Sequence, residues 1–266
     1  MDMAKSTFYY EISKTDAVAE RNASLVEDIQ KIFTQNKGRY GVRRVHQALQ
    51  GLGHTVNHKR VQRIMHNLGL LGKRPKEKYH SYRGEVGEIA GNIINRDFST
   101  IGPLQKWTTD VSQFNLPWGK CYISPILDMN TNEIISYDLS RSPNMDQIQK
   151  MLDSAFRRFP HTNGLIMHSD QGWQYQHALY RQTLKRHGII QSMSRKGNCY
   201  DNCIMETFFG RLKNEMFYGH EKEFTSFEHF QQAIAEYINY YNNRRIQKKT
   251  KWMPPSKFRE ASIKSY

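Results

Sequence analysis

The chain has little cysteine: three in 266 residues, Cys121, Cys199 and Cys203. Three thiols provide neither a disulfide framework nor a zinc quartet. No apolar run reaches membrane-spanning length, and no secretory h-region follows Met1, so the expected location is the cytoplasm and no membrane partner is expected. Acidic residues are scarce in one region. From Lys37 to Arg83 there are twelve Lys or Arg and a single acid, Glu77, which accounts for most of the net charge of +14. A solvated helical face rarely omits acids so thoroughly, whereas a phosphate-binding surface does. Aromatics are not scarce. Fifteen Tyr and thirteen Phe are ample for one large core, or for a core with a smaller domain beside it.

In chain order, residues 1–71 read as a helical unit. Leu25, Val26, Ile29, Ile32 and Phe33 recur at helical spacing between Ala17 and Asn36. Val42, Val45, Leu49 and Leu52 predict a short helix that Gly51 and Gly53 break. Asn57 can cap the next helix, whose stripe is Val61, Ile64, Met65 and Leu68 and whose stop is Gly69. Helix, glycine turn, helix over about 41–69 is a helix-turn-helix arrangement, with a plain helical hairpin as the alternative. Arg43, Arg44, Lys59, Arg60 and Arg63 are its expected DNA contacts. His54 and His58 stand at an H-x3-H spacing but no CxxC follows, so they read as polar residues of a DNA-facing turn and not as zinc ligands. Residues 72–103, polar and glycine-rich, read as a linker with a basic, aromatic first half.

Residues 104–222 alternate strand-like and helical runs, as one core does. Strand-like runs at Lys106–Asn115, Lys120–Asp128 and Glu133–Ser140 are separated by turns, and a helix is expected over Asn144–Phe159. A strand at Leu165–His168, a helix at Gln176–His187 and a strand at Ile189–Met193 follow. The pattern predicts an α/β fold with a mixed five-stranded sheet and helices on both faces. Residues 223–266 add a helix over Phe227–Tyr241, then a basic tail with Arg244 and Arg245 as expected DNA contacts; Pro254-Pro255 is expected to prevent further helix there.

The candidate chemistry centres on Ser194–Glu215. Asn202, Glu206, Gly210 and Lys213 fall on one helical face: a carboxylate, a gap without a side chain, then a cation. Asp201 or Asn202 can cap this helix. Asp110 sits in a strand-like run, and Asp170 ends a short apolar strand 35 residues before Glu206. Strand, strand-end and helix can bring three carboxylates onto a pair of hard cations. His168, two residues before Asp170 and on its side of the strand, is either a second layer behind a metal ligand or simply packed. Asn202 falls in the same second layer. Asp128 reads as a turn cap, Asp201 as a helix cap, and Asp138 and Asp153 as surface residues.

WTTD, HSDQGWQY and GNCYDNCIMETFFGRLKNE, at these spacings, resemble the OrfB-type transposases of bacterial insertion sequences, in the insertion-sequence family numbered three of the retroviral-integrase-like DDE superfamily. The resemblance runs from about Lys5 to Phe258; one departure is Cys203, where a small residue such as Ala is expected. It implies a ribonuclease H-like fold and a DNA transposase that cuts 3′ ends and transfers strands. It also implies Asp110, Asp170 and Glu206 as ligands of Mg²⁺, with Mn²⁺ as substitute, and Lys213 as a phosphate contact. Insertion-sequence ends and target DNA would be its partners, with a homo-oligomer on DNA. The abrupt start, KSTFYYEISK, fits dependence on, or fusion to, the product of an upstream reading frame. An inactive integrase-like DNA-binding regulator and a ribonuclease H-type nuclease are the rival readings; neither accounts at once for three carboxylates and a basic helical unit.

If charge neutralisation supplies DNA affinity, each phosphate contact contributes about 0.9 to the slope of log K against log salt. Replacing Lys59, Arg60 and Arg63 by Ala is therefore expected to weaken binding and flatten that slope. Filter binding across a salt series checks this; unchanged affinity and slope would assign the helical unit another task.

Overall fold

The computed structural model describes Lys5 and residues 22–72, 88–195 and 198–264. Expectations for residues 6–21 and for the basic first half of the linker, 73–87, lie outside them. The chain divides into two compact units, Met1–Arg74 and Pro75–Tyr266.

In the first unit, helix α1 (22–35), α2 (Val42–Gly51) and α3 (His58–Asn67) enclose Leu25, Ile29, Ile32, Val45, Leu49, Val61, Ile64 and Met65, all buried. Asn57 caps α3 by accepting from the Lys59 N–H at 2.9 Å. Gly69 takes φ +66° just beyond α3, a left-handed stop that glycine adopts without strain. His54 Nε2 meets Asp28 Oδ2 at 2.7 Å, so this histidine ties the inter-helix turn to α1.

The second unit is built on one sheet: β1 (Lys106–Thr109), β2 (Ser112–Leu116), β3 (Gly119–Asp128), β4 (Ile134–Ser140), β5 (Ile166–Ser169) and β6 (Ile190–Met193). β3 pairs antiparallel with β1, β2 and β4, while β1, β5 and β6 run parallel. The expected first strand is broken. Its two pieces share one register on β3, and extending that register sets Asp110 opposite Pro125. Proline has no N–H to give the ladder. Asp110 thus stands in a gap between strands and not mid-strand, and six strand segments occupy the five expected ranks.

Helices cover both faces. α4 (Met145–Arg158), capped by Asn144, joins Ile148, Met151, Leu152 and Ala155 to Trp107, Ile126 and Met167, with α5 (Trp173–Gln176) and α6 (Ala178–Arg186) adding Tyr175, Tyr180 and Leu184. On the other side α7 (Cys203–Leu212) buries Met205, Phe208, Phe209 and Leu212, and α8 (Phe227–Asn243) brings Phe230, Tyr237 and Tyr241. Phe114 of β2 meets Phe217 and Phe230 at ring-centroid distances of 4.8 and 5.1 Å, joining sheet to helices. Beyond α7, residues Lys213–Phe217 widen into a π turn. Pro255 opens α9 (Pro255–Lys264) instead of preventing a helix, because the first helical position needs no N–H. Among the described residues, no helix is long and apolar enough to cross a membrane.

The structure corrects the DNA contact expected at Arg245. Arg245 is 1 % exposed and bonds Glu215 through Nε and Nη2, at 2.9 and 2.5 Å, while the Tyr237 hydroxyl donates to the same carboxylate at 3.0 Å. This arginine fastens α8's end to the π turn and is not presented to a phosphate. Its neighbour Arg244 is exposed. Removing one partner of a buried pair leaves an uncompensated charge and costs about 3–5 kcal/mol. Arg245→Met is thus expected to destabilise the fold by that amount in urea denaturation, with Glu215→Gln added to it recovering part of the loss and Arg244→Ala costing little.

Candidate active site

Three sequence-identified carboxylates come from three kinds of position. Asp110 lies in the gap after β1, Asp170 one residue beyond β5, and Glu206 in the first turn of α7. Asp110 is 5 % exposed; Asp170 and Glu206 are half-buried.

Both Asp110 oxygens are oriented. Oδ1 accepts from the Val111 N–H at 2.7 Å and Oδ2 from Asn202 Nδ2 at 2.9 Å. The Val111 N–H thus bonds the side chain of the residue just before it. Asn202 begins α7, and its side chain bypasses the helix's own N–H groups to reach Asp110. Asp170 Oδ1 accepts from the Gly172 N–H at 2.9 Å. A Cβ on Gly172 would stand 2.9 Å from that same oxygen and 2.6 Å from Gln174 Nε2, so a larger residue in the HSDQG turn would have to displace the Asp170 carboxylate or the Gln174 amide.

Burial pushes the Asp110 carboxyl well above its ordinary range; the Asp170 charge adds to this, and Glu206 adds less. The two hydrogen bonds oppose the shift without cancelling it. Burial also raises Asp170 and Glu206. The nearby cation is Lys213, half-buried with Nζ 5.1 Å from the Phe114 ring centroid. Burial lowers its pKa while Asp110 acts the other way. Among the described residues, no three His, Cys, Asp or Glu side chains stand close enough to hold an ion between them. The carboxylates are thus within Coulombic reach of Asp110 without forming a closed ligand set. Hard carboxylate oxygens that repel one another are the donor type that Mg²⁺ or Mn²⁺ takes.

The other expected residues divide. His168 is buried and packed: Nδ1 meets Ser192 Oγ at 2.9 Å and Nε2 the Asp201 carbonyl at 3.0 Å. It touches none of the three carboxylates. Asp128 closes the β3–β4 turn by accepting from the N–H groups of Asn130 and Thr131, as expected of a turn cap. Asp201, expected as a helix cap, is instead a buried ion-pair centre for Arg96 and Arg195. Tyr175 escaped the sequence reading: it lies buried beside Thr109, and both aspartate charges help to raise its hydroxyl's pKa, after burial. In the helical unit, Arg43, Lys59 and Arg63 are exposed. Arg60 holds Asn22 Oδ1 through Nε at 3.0 Å and Nη2 at 2.6 Å, which commits it to the unit's own packing, and Arg44 is half-buried with its guanidinium 5.6 Å from the Tyr40 ring centroid.

An integrase core domain family matches residues 102–199, a second integrase core domain family matches 206–263, and an HTH-like domain family matches 20–78. The chain is 46% identical over 259 residues to the protein named transposase InsK for insertion sequence element IS150 of Escherichia coli K12, spanning 97% of this chain and 90% of that one. It is 33% identical over 213 residues to transposase InsF for insertion sequence IS3A of the same organism, spanning 80% and 73%. The integrase catalytic core of HTLV-2, in a structure with magnesium, is similar in fold at a TM-score of 0.50 and 12% identity, covering 60% of this chain and 99% of that one.

The raised Asp110 pKa has a sign that stability can reveal. Between the ordinary value of 3.8 and its raised one, the folded chain binds more protons than the unfolded chain. Stability therefore falls as pH rises through that window and stays reduced above it. In chelator at pH 7, Asp110→Asn is expected to melt above the parent, with the gap closing toward pH 4. Mg²⁺ should raise the parent's Tm and leave the variant's nearly unmoved. Differential scanning calorimetry decides; a variant that melts lower, or gains equally from Mg²⁺, contradicts the site.

Proposed function

The chain belongs to the IS3-type insertion-sequence transposases of the DDE superfamily, and from that premise we propose how it performs DNA transposition: Asp110, Asp170 and Glu206 hold two divalent cations for cutting 3′ ends and transferring the strands. Its integrase-type core makes it an enzyme of the polynucleotidyl-transferase kind. The observation that carries the proposal is the Asp110 carboxylate, buried, repelled by two further carboxylates and hydrogen-bonded to the Val111 N–H and Asn202. Asp110, Asp170 and Glu206 would hold the ions together, with Asp110 the most deeply buried of the three. Mg²⁺ bound there, or Mn²⁺ in its place, supplies the Lewis acidity that stabilises entering and leaving oxygens of a phosphodiester.

The protein's own groups orient these ligands. Val111 N–H and Asn202 fix the Asp110 oxygens, and the Gly172 N–H fixes Asp170. Fixed orientation spares the reorganisation that water would require at the moment of reaction. A Cβ on Gly210 would meet nothing within 4 Å, so this helix position leaves space through which a DNA backbone can approach Lys213. Arg43, Lys59, Arg63 and Arg244 are the exposed cations proposed to carry phosphate contacts. A homo-oligomer assembled on DNA and dependence on an upstream-frame product belong to the same reading.

Asp110→Asn keeps the size of the side chain and removes its charge. Loss of such preorganised electrostatics costs several kcal/mol of barrier, and about 1.4 kcal/mol is tenfold in rate. Cleavage of a labelled insertion-sequence end in Mg²⁺ is expected to fall about 100-fold or more, while DNA affinity in Ca²⁺ is retained. Glu206→Gln and Asp170→Asn should follow, and the exposed Asp153→Asn should not. Equal cleavage by parent and Asp110→Asn overturns the mechanism; preferential cutting of an RNA–DNA hybrid favours a ribonuclease H.

A further inference from the structure

The Asp201 carboxylate takes no part in the site above, yet it is 1 % exposed and accepts five hydrogen bonds. Asn92 Nδ2 donates to it at 3.0 Å and Arg96 Nε at 3.0 Å. Arg195 donates through its backbone N–H, Nε and Nη2 at 3.1, 2.9 and 3.0 Å. Two of these partners come from a segment some hundred residues earlier that has neither helix nor strand, 88–92, and continues through the turn at 95–96.

That strap makes further bonds at the same place. Ile93 and Ile94 both donate backbone N–H groups to Ser192 Oγ, at 3.0 and 3.4 Å. A hydroxyl has one proton and two lone pairs. With both lone pairs engaged, Ser192 gives its proton to His168 Nδ1, and neutral His168 then donates from Nε2 to the Asp201 carbonyl, which can only accept. Strap, β6, β5 and the turn before α7 are thus joined in one closed set of bonds. The next residue, Asn202, reaches Asp110, and one helical turn on is Glu206.

We propose that Asp201, held by Asn92 and Arg96 of the strap, is a positioning residue of the catalytic centre: it fixes the turn from which Asn202 reaches Asp110 and α7 carries Glu206. The inference rests on Asp110 belonging to the reacting centre. Arg96 suits the test because its side chain is half exposed and touches none of the three carboxylates. It also lies over the exposed Tyr200 ring at 5.7 Å, so a direct DNA contact is the competing role the test must separate.

The experiment compares Arg96→Ala, Arg96→Lys, Asn92→Ala, Asp201→Asn, Asn202→Ala, the double variant Arg96→Ala/Asn202→Ala, and Asp110→Asn as reference. Each is measured for cleavage kcat and KM, DNA affinity in Ca²⁺, and Tm. Arg96→Ala is expected to lower kcat about tenfold, the lower end for loss of an outer partner of a ligand set, with KM and DNA affinity unchanged. Arg96→Lys should restore part of the rate. The double variant should be no slower than Asn202→Ala alone, since both act along one path. A loss confined to KM and DNA affinity makes Arg96 a DNA contact and overturns the proposal; so do multiplicative losses in the double variant, or unchanged kcat. Should Asp201→Asn fail to fold, Arg96 and Asn92 still decide. Full activity in Asp110→Asn sinks the metal reading itself, whereas an inactive Asp110→Asn beside fully active Arg96 and Asn92 variants sinks only this inference.

Discussion

The Asp110 carboxylate is held where it least favours being charged: out of water, opposite a proline that interrupts its strand, and facing Asp170 and Glu206. Such a placement persists only when surrounding structure over-determines it. Here the surroundings do so through packing. Met205, Phe208 and Phe209 lock α7 onto the sheet at zero exposure. At about 1.5–3 kcal/mol for each fully buried side chain, that face outweighs the repulsion it imposes between Glu206 and Asp110. The electrostatic cost stays in the fold as a preference for cations at one point.

Around this point the polar architecture is arranged in depth. Asn202 and the Val111 N–H touch Asp110; behind them Asp201, His168 and Ser192 hold the turn; behind these stands the strap that follows the basic segment. Charged side chains close together in sequence serve different ends. Arg245 is spent inside on Glu215 while Arg244 faces outward, and Arg60 braces α1 while Lys59 and Arg63 remain exposed. The net positive charge draws a polyanion to the molecule, but only the outward set can neutralise phosphates.

Much of this was readable from local pattern. The α4 and α7 stripes, the Asn57 cap and the alternation of strands and helices follow from periodicity, and the three carboxylates follow from their flanking residues and spacing. What escaped depends on partners distant in the chain. Nothing near Asp110 announces Pro125, whose position across the ladder breaks the strand. Nothing in YDN distinguishes a helix cap from an ion-pair centre when Arg96 lies 105 residues away. The basic run RRIQKK gives no sign that its second arginine turns inward, since its burial is set by Glu215 in a π turn that no propensity predicts. Local chemistry nominates the candidate site; non-local contacts decide how its residues are held.

The most direct test of the account is a structure of the chain soaked in Mn²⁺, with the ion located by anomalous scattering. The account predicts peaks about 2.1 Å from an Asp110 oxygen, with Asp170 and Glu206 completing the ligand sets. Well-occupied Mn²⁺ elsewhere, with Asp110 still bonded only to Asn202 and the Val111 N–H, would contradict it.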